Sequence, residues 1–153
     1  MLLSFLGSEM AVKPTDDTTT IRSAIVVFEH RPFRGPLRLL RPGFRHCFCL
    51  LRTEEQWLLC DPLKGSLRLE LLPPYAEEDL ARHYIALGRH ALLGPITRRD
   101  GAGGLGLRPL SCVEIVKRAI GLAAPGVLTP YQLYRKLNST PGWYLWTKFS
   151  LDP

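Results

Sequence analysis

Apolar positions along the chain switch between two periods, and the switch divides it into strands and helices. Ser23–Glu29 (SAIVVFE) is a β-branched run and predicts a strand. The stretch HRPFRGPLRLLRPGF that follows carries three Pro and two Gly, and predicts an irregular crossing with one short strand at LRLL. RHCFCLLR and QWLLCD predict two strands joined by the polar turn Thr53, Glu54, Glu55, an antiparallel hairpin. In KGSLRLELL, Leu67, Leu69 and Leu71 alternate with Ser66, Arg68 and Glu70, which adds a third strand to the meander.

Pro73 and Pro74 stop the sheet, and the period then lengthens. YAEEDLARHYIALGRH predicts a helix from Tyr75 to about His90, with acids in its first turn and Arg89 and His90 near its end. A Gly-rich loop, GPITRRDGAGGLGLRPL, leads to a second helix at SCVEIVKRAIG, capped by Ser111 and stopped by Gly121. A third helix is expected at about Pro130 to Leu137, with Thr129 as cap and Pro130 in its first turn. GWYLWTKFSL closes the chain as a last strand or an aromatic anchor. The expected fold class is α+β: an antiparallel sheet packed against about three helices. Residues 1–22, polar and Thr-rich, are expected to be an N-terminal arm or linker, and 23–153 a single domain.

Length and composition change little in this picture. A chain of 153 residues suits one domain, and it can bury roughly two thirds of its unfolded surface without a metal or disulfide. No apolar run reaches the roughly 18 residues that span a bilayer. MLLSFLGSEM lacks the basic flank and small-residue cleavage pattern of a signal peptide, so an arm is expected there. Net charge is +6, with Arg31, Arg34, Arg38, Arg41 and Arg45 among the excess. No basic stripe interleaved with stacking aromatics accompanies them. Nucleic acid is therefore not the expected partner, and a solvated basic face or an acidic partner is. GAGGLG lacks the GK[ST] ending of a phosphate loop and the strand-to-helix setting of a dinucleotide fingerprint.

The candidate chemistry lies in GFRHCFCLLRTEEQWLLCDP, residues 43–62, which packs a His, three Cys and an Asp into one hairpin. If Arg52 pairs with Trp57, then Cys49 pairs with Cys60 and Phe48 with Asp61. His46 and Asp61 then share a face, within reach of a side-chain hydrogen bond. Cys47, Cys49 and Cys60 fall on the other face, as small apolar residues beneath a helix. A metal site would need His46 and its neighbour Cys47 to converge, or a fourth ligand for the three thiols, and no second pair supplies one. No cofactor or metal is expected.

The partner for His46 is sought at the second helix. Ser111 as N-cap puts Cys112 in the first turn, where free N–H groups and the helix dipole lower a thiol's pKa. Cys112 also belongs to an apolar stripe with Ile115, Val116, Ala119 and Ile120, so a packing role competes with a nucleophilic one. A His heading a strand and an Asp placed to orient it favour the nucleophile.

The order GFRHCFCLL, WLLCDP, LSCVEIVKRAIG resembles a circularly permuted papain-like protein, the superfamily that includes NlpC-type peptidases and lecithin:retinol acyltransferase-like proteins. GVLTPYQLYRKL resembles a segment that follows the Cys helix in small phage-encoded members. The resemblance spans roughly residues 25 to 140. It implies Cys112 as nucleophile, His46 as base and Asp61 as orienter, with hydrolysis or transfer at an amide or ester and no metal. It also implies a virion setting, with other virion subunits as partners and cell-wall peptide as a possible substrate, or a catalytically silent structural or adaptor protein of the phage particle. His30, His83 and His90 are expected to be surface or loop residues. Trp143, Tyr144 and Trp146 are expected to pack or to meet a partner.

Overall fold

The computed structural model describes residues 21–97 and 111–147. Residues 1–20 of the expected 1–22 arm and the GAGGLG loop lie outside the described residues, as does the end of the closing segment. Six strands form one antiparallel sheet: β1 (Ser23–Glu29), β2 (His46–Arg52), β3 (Trp57–Leu63), β4 (Ser66–Leu72), β5 (His90–Pro95) and β6 (Tyr144–Trp146), in the order β4-β3-β2-β1-β5-β6. Three helices complete it: α1 (Glu77–Ala86), α2 (Cys112–Ile120) and α3 (Pro130–Asn138). The architecture is thus the α+β class expected. No helix among the described residues is long and apolar enough to cross a membrane.

The sheet carries apolar cores on both faces. Ile25, Val27, Phe48, Leu50, Trp57 and Leu59 meet Leu80, Tyr84 and Ile85 of α1 on one side. Ala24, Val26, Phe28, Cys47, Cys49, Leu51 and Cys60 meet Val113, Val116 and Ile120 of α2 and Leu133 and Leu137 of α3 on the other. Central β1 therefore reads as a continuous hydrophobic run, because from Ala24 to Glu29 every residue is buried. Edge strand β4 differs. It keeps the alternation the sequence shows, yet Leu67, Leu69 and Leu71 are exposed, because no described helix covers them.

Three expectations are corrected. LRLL is not a strand. Gly35–Leu39 forms a short 3₁₀ helix, with Gly35 at φ 78° and a Pro in its first turn. The α1 helix ends at Ala86 rather than His90, where Gly88 takes φ 76°. Residues 90–95, expected to end the helix and enter the loop, instead form β5 between β1 and β6. His90 accordingly sits on a strand, its ring stacked on Phe44 at 4.7 Å between centroids.

The glycine stop of α2 has a steric cause as well as a conformational one. Gly121 adopts φ 72°, and a Cβ there would lie 1.7 Å from the Thr97 carbonyl oxygen. That contact fixes the end of α2 against the exit of β5. At the other end of the helix the Ser111 hydroxyl accepts the Glu114 N–H. Glu114 stands three residues after the cap, where a capping-box acid would sit, but it does not return a bond to the Ser111 N–H. Its carboxylate turns to Lys117 and Arg118 instead. Thr129 and Gln132 do form the reciprocal box at α3.

Candidate active site at the open end of the hairpin

The β2–β3 register matches the sequence expectation from Arg52 with Trp57 to Cys49 with Cys60, and there it stops. The expected Phe48–Asp61 pair does not form. Beyond Cys60, β3 stays paired with β4 as far as Leu63 but parts from β2. Pro62, which has no N–H to offer a ladder, lies in this parted stretch. A gap opens between the start of β2 and the end of β3, and the candidate site sits in it.

Asp61 reaches across the gap as expected: its Oδ1 lies 2.7 Å from His46 Nε2, and both residues are buried. This engages Nε2 and leaves Nδ1 for the opposite side of the ring. The Cys112 sulfur lies close enough to the His46 ring, the Cys47 thiol and the Cys47 backbone N–H for each of them to lower its pKa. That N–H has no partner on β3 because the ladder has already ended. The structure therefore brings Cys112, His46 and Asp61 together, the three residues the sequence singles out.

They do not meet on one face, however. By strand alternation His46 and Asp61 belong to the α1 side, where His46 lies over Phe48. Cys112 belongs to a helix packed over the opposite side, against the cluster that holds Cys47, Cys49 and Cys60. His46 and Cys47 point apart, yet both act on one sulfur, because the sulfur enters at the open margin of β2.

The electrostatics favour an ion pair. The Cys47 thiol's hydrogen bond does most to hold the Cys112 sulfur as thiolate. Burial opposes it, while the bond and charge of His46 and the Cys47 N–H add to it, and the pKa falls to about 4. Burial pushes the Cys47 thiol well up, and its bond to Cys112 pushes it further, so Cys47 stays protonated as a donor. For His46, burial works against the imidazolium, but the bonds to Asp61 and Cys112 outweigh it and raise the pKa above its ordinary value. Burial likewise opposes ionisation of Asp61, and the bonds from His46 and Arg31 overcome it, so the carboxyl stays below its usual range.

Four residues of this network, Glu29, Arg31, Cys47 and Arg89, are not legible as site residues in the sequence. Arg31 donates to Asp61 Oδ2 at 3.0 Å and also pairs with Glu29. Glu29 is buried, stands beside His46 in the β1–β2 register, and takes a second cation, Arg89, at 2.8 Å. The register of β1 against β2 is the signal that would have found Glu29. Cys47, expected only as core, is both buried and a ligand of the sulfur. Cys49 and Cys60 face each other across the strand pair, and their thiols are coupled.

Among the described residues no group of three or more His, Cys, Asp or Glu is arranged to hold a metal ion. His30 accepts the Gly43 N–H, and His83 is exposed on α1. Trp143 and Trp146 pack against the two cores, and Tyr144 is half exposed. A surface depression of about 450 Å³ lies on α3, lined by Gln132, Arg135, Lys136, Asn138 and Ser139, none of them a candidate site residue. Comparison with protein-family models, with curated proteins and with solved structures found no match.

Proposed function

We propose that the chain is a cysteine hydrolase, a peptidase or amidase of permuted papain-like type. The single observation that carries this reading is a Cys112 sulfur electrostatically coupled to a His46 ring that Asp61 holds through Nε2 at 2.7 Å. Three further features support it: the low thiol pKa, the helix start beneath the sulfur, and the chain order of His, Asp and Cys.

In this mechanism the Cys112 thiolate attacks a carbonyl carbon, and a C–S bond forms as the carbonyl electrons move to oxygen. First-turn N–H groups of α2, which have no helical acceptor, face the developing oxyanion. The imidazolium of His46 gives its Nδ1 proton to the leaving amine or alkoxide, and an acyl-enzyme remains. Neutral His46 then takes a proton from water, the hydroxide displaces sulfur, and the thiolate returns. Asp61 keeps the ring turned toward sulfur and stabilises its positive state. The substrate class proposed is cell-wall peptide, and the setting a phage particle.

Cys112→Ala should abolish hydrolysis of peptidoglycan fragments while leaving the circular dichroism spectrum unchanged. Undiminished turnover in that variant would remove the nucleophile from the proposal. A second reading, a catalytically silent structural or adaptor protein of the virion, is favoured by β4, whose three exposed leucines lie on an edge strand open to a neighbouring subunit. Alkylation separates the two: a Cys112 thiol inert to iodoacetamide at neutral pH belongs to the silent protein.

A further inference from the structure

The crossing between β1 and β2 contains five arginines and no acidic residue from position 30 to 45. At its tip the 3₁₀ helix exposes Leu37 by 50% and Leu39 by 83%, with Arg34, Arg38 and Arg41 exposed around them. Leucine at that exposure gains little from packing against the described residues. The turn is nonetheless braced from below. Arg45 donates to the Arg38 carbonyl at 3.0 Å and the Leu40 carbonyl at 3.4 Å. Arg41 lies over the Tyr131 ring at 4.0 Å from its centroid, and Phe44 is buried beside Tyr131 and Tyr134. Two leucines are thus held outward on a fixed support and ringed by cations.

We propose that the 34–41 turn docks on an anionic lipid surface, Leu37 and Leu39 entering the boundary between headgroups and acyl chains while Arg34, Arg38 and Arg41 engage lipid phosphates. The charge of the turn selects the partner. A second copy of this basic turn would be repelled, and a nucleic acid would leave the leucines unused. The combination of apolar tips and a cationic ring matches the layering of a membrane interface. The same crossing begins at Arg31, the residue that holds Asp61, so a docked turn brings the candidate site close to the lipid surface.

The test is co-sedimentation of the full chain with phosphatidylcholine vesicles, with and without phosphatidylglycerol. Binding is expected only with phosphatidylglycerol and should weaken as salt rises. Removing one arginine, as Arg34→Gln or Arg38→Gln, should weaken it about fivefold each. The Leu37→Ser/Leu39→Ser double variant should weaken it by at least as much with charge unchanged. Cys112→Ala should bind as the unaltered protein does, which keeps this result separate from the hydrolase reading. Absence of binding to the anionic vesicles overturns the proposal. So does binding that ignores the leucine pair, or tighter binding to a short DNA duplex, since either marks a general polyanion surface.

Discussion

The two faces of the sheet divide the chemistry between them. The α1 side supplies charge: Glu29, Arg31, His46, Asp61 and Arg89 form one chain of ion pairs above an apolar core. The α2 side supplies thiols: Cys47, Cys49 and Cys60 are buried among Val, Ile and Leu, and Cys112 stands at the helix start above them. Neither face holds a complete site. Among the described residues the charged side has no thiol, and the thiols have no base beneath their helix. They meet where β2 and β3 part, so the site depends on the ladder ending one pair early. A hairpin zipped as far as Phe48 and Asp61 would close the gap that admits Cys112.

This division can be attacked from either side. The largest effect is expected from His46→Ala, which removes the charged side's contribution and should lower hydrolysis by about 10²- to 10⁴-fold. A rate within a few-fold of normal would mean the thiol needs nothing from the other face.

On the thiol side, Leu133→Ala cuts into the fully buried support of α3 and should cost about 2–5 kcal/mol in denaturant unfolding. Leu69→Ala on the open edge strand should cost less than about 0.5 kcal/mol. Equal costs would mean that β4 is covered after all.

Cys47→Ala is a smaller and sharper probe, because Cys47 belongs to the thiol face yet serves the ion pair. Losing one hydrogen bond to a charged sulfur should raise the apparent Cys112 pKa by about one to two units, and Cys47→Ser should restore most of it. No change in Cys47→Ala would return Cys47 to a packing role.

The smallest effect is expected from Arg31→Gln, and it appears in acid. Asp61 has its folded pKa below the ordinary 3.8, so its stabilisation is present above that pH and is lost as pH falls through the folded value. Without Arg31 the carboxyl moves back toward its ordinary value, so the acid-unfolding midpoint should move to higher pH. An unmoved midpoint would show that His46 alone holds Asp61.

What the sequence reveals and what it hides follow the same boundary. The β1 strand, the hairpin and α2 with its Ser111 and Gly121 stops are legible because each rests on local pattern or backbone chemistry. Counting residues around the turn puts His46 near Asp61, but through a Phe48–Asp61 ladder pair that does not form, and the contact is made beyond the end of the ladder. The β5 strand is hidden because ALLG is short and follows a helix without a proline break, and only its long-range pairing with β1 and β6 makes it a strand. Gly88, the stop for α1, is nonetheless visible in IALGRH. The bracing by Glu29 and Arg31 is hidden because it joins β1 to the far strand of the hairpin. Leu67, Leu69 and Leu71 show that alternation predicts a strand but not whether anything covers it.

The central claim is that a thiol from one face is ionised by groups drawn from both. The rate of Cys112 alkylation, followed across pH with Cys47, Cys49 and Cys60 shown by peptide mapping to be unlabelled, tests it directly. The rate should rise with an inflection near pH 4 and be flat through neutrality, and His46→Ala should push that inflection upward. An inflection at the ordinary thiol value of 9.0 in the unaltered protein would contradict the ion pair and the site built on it.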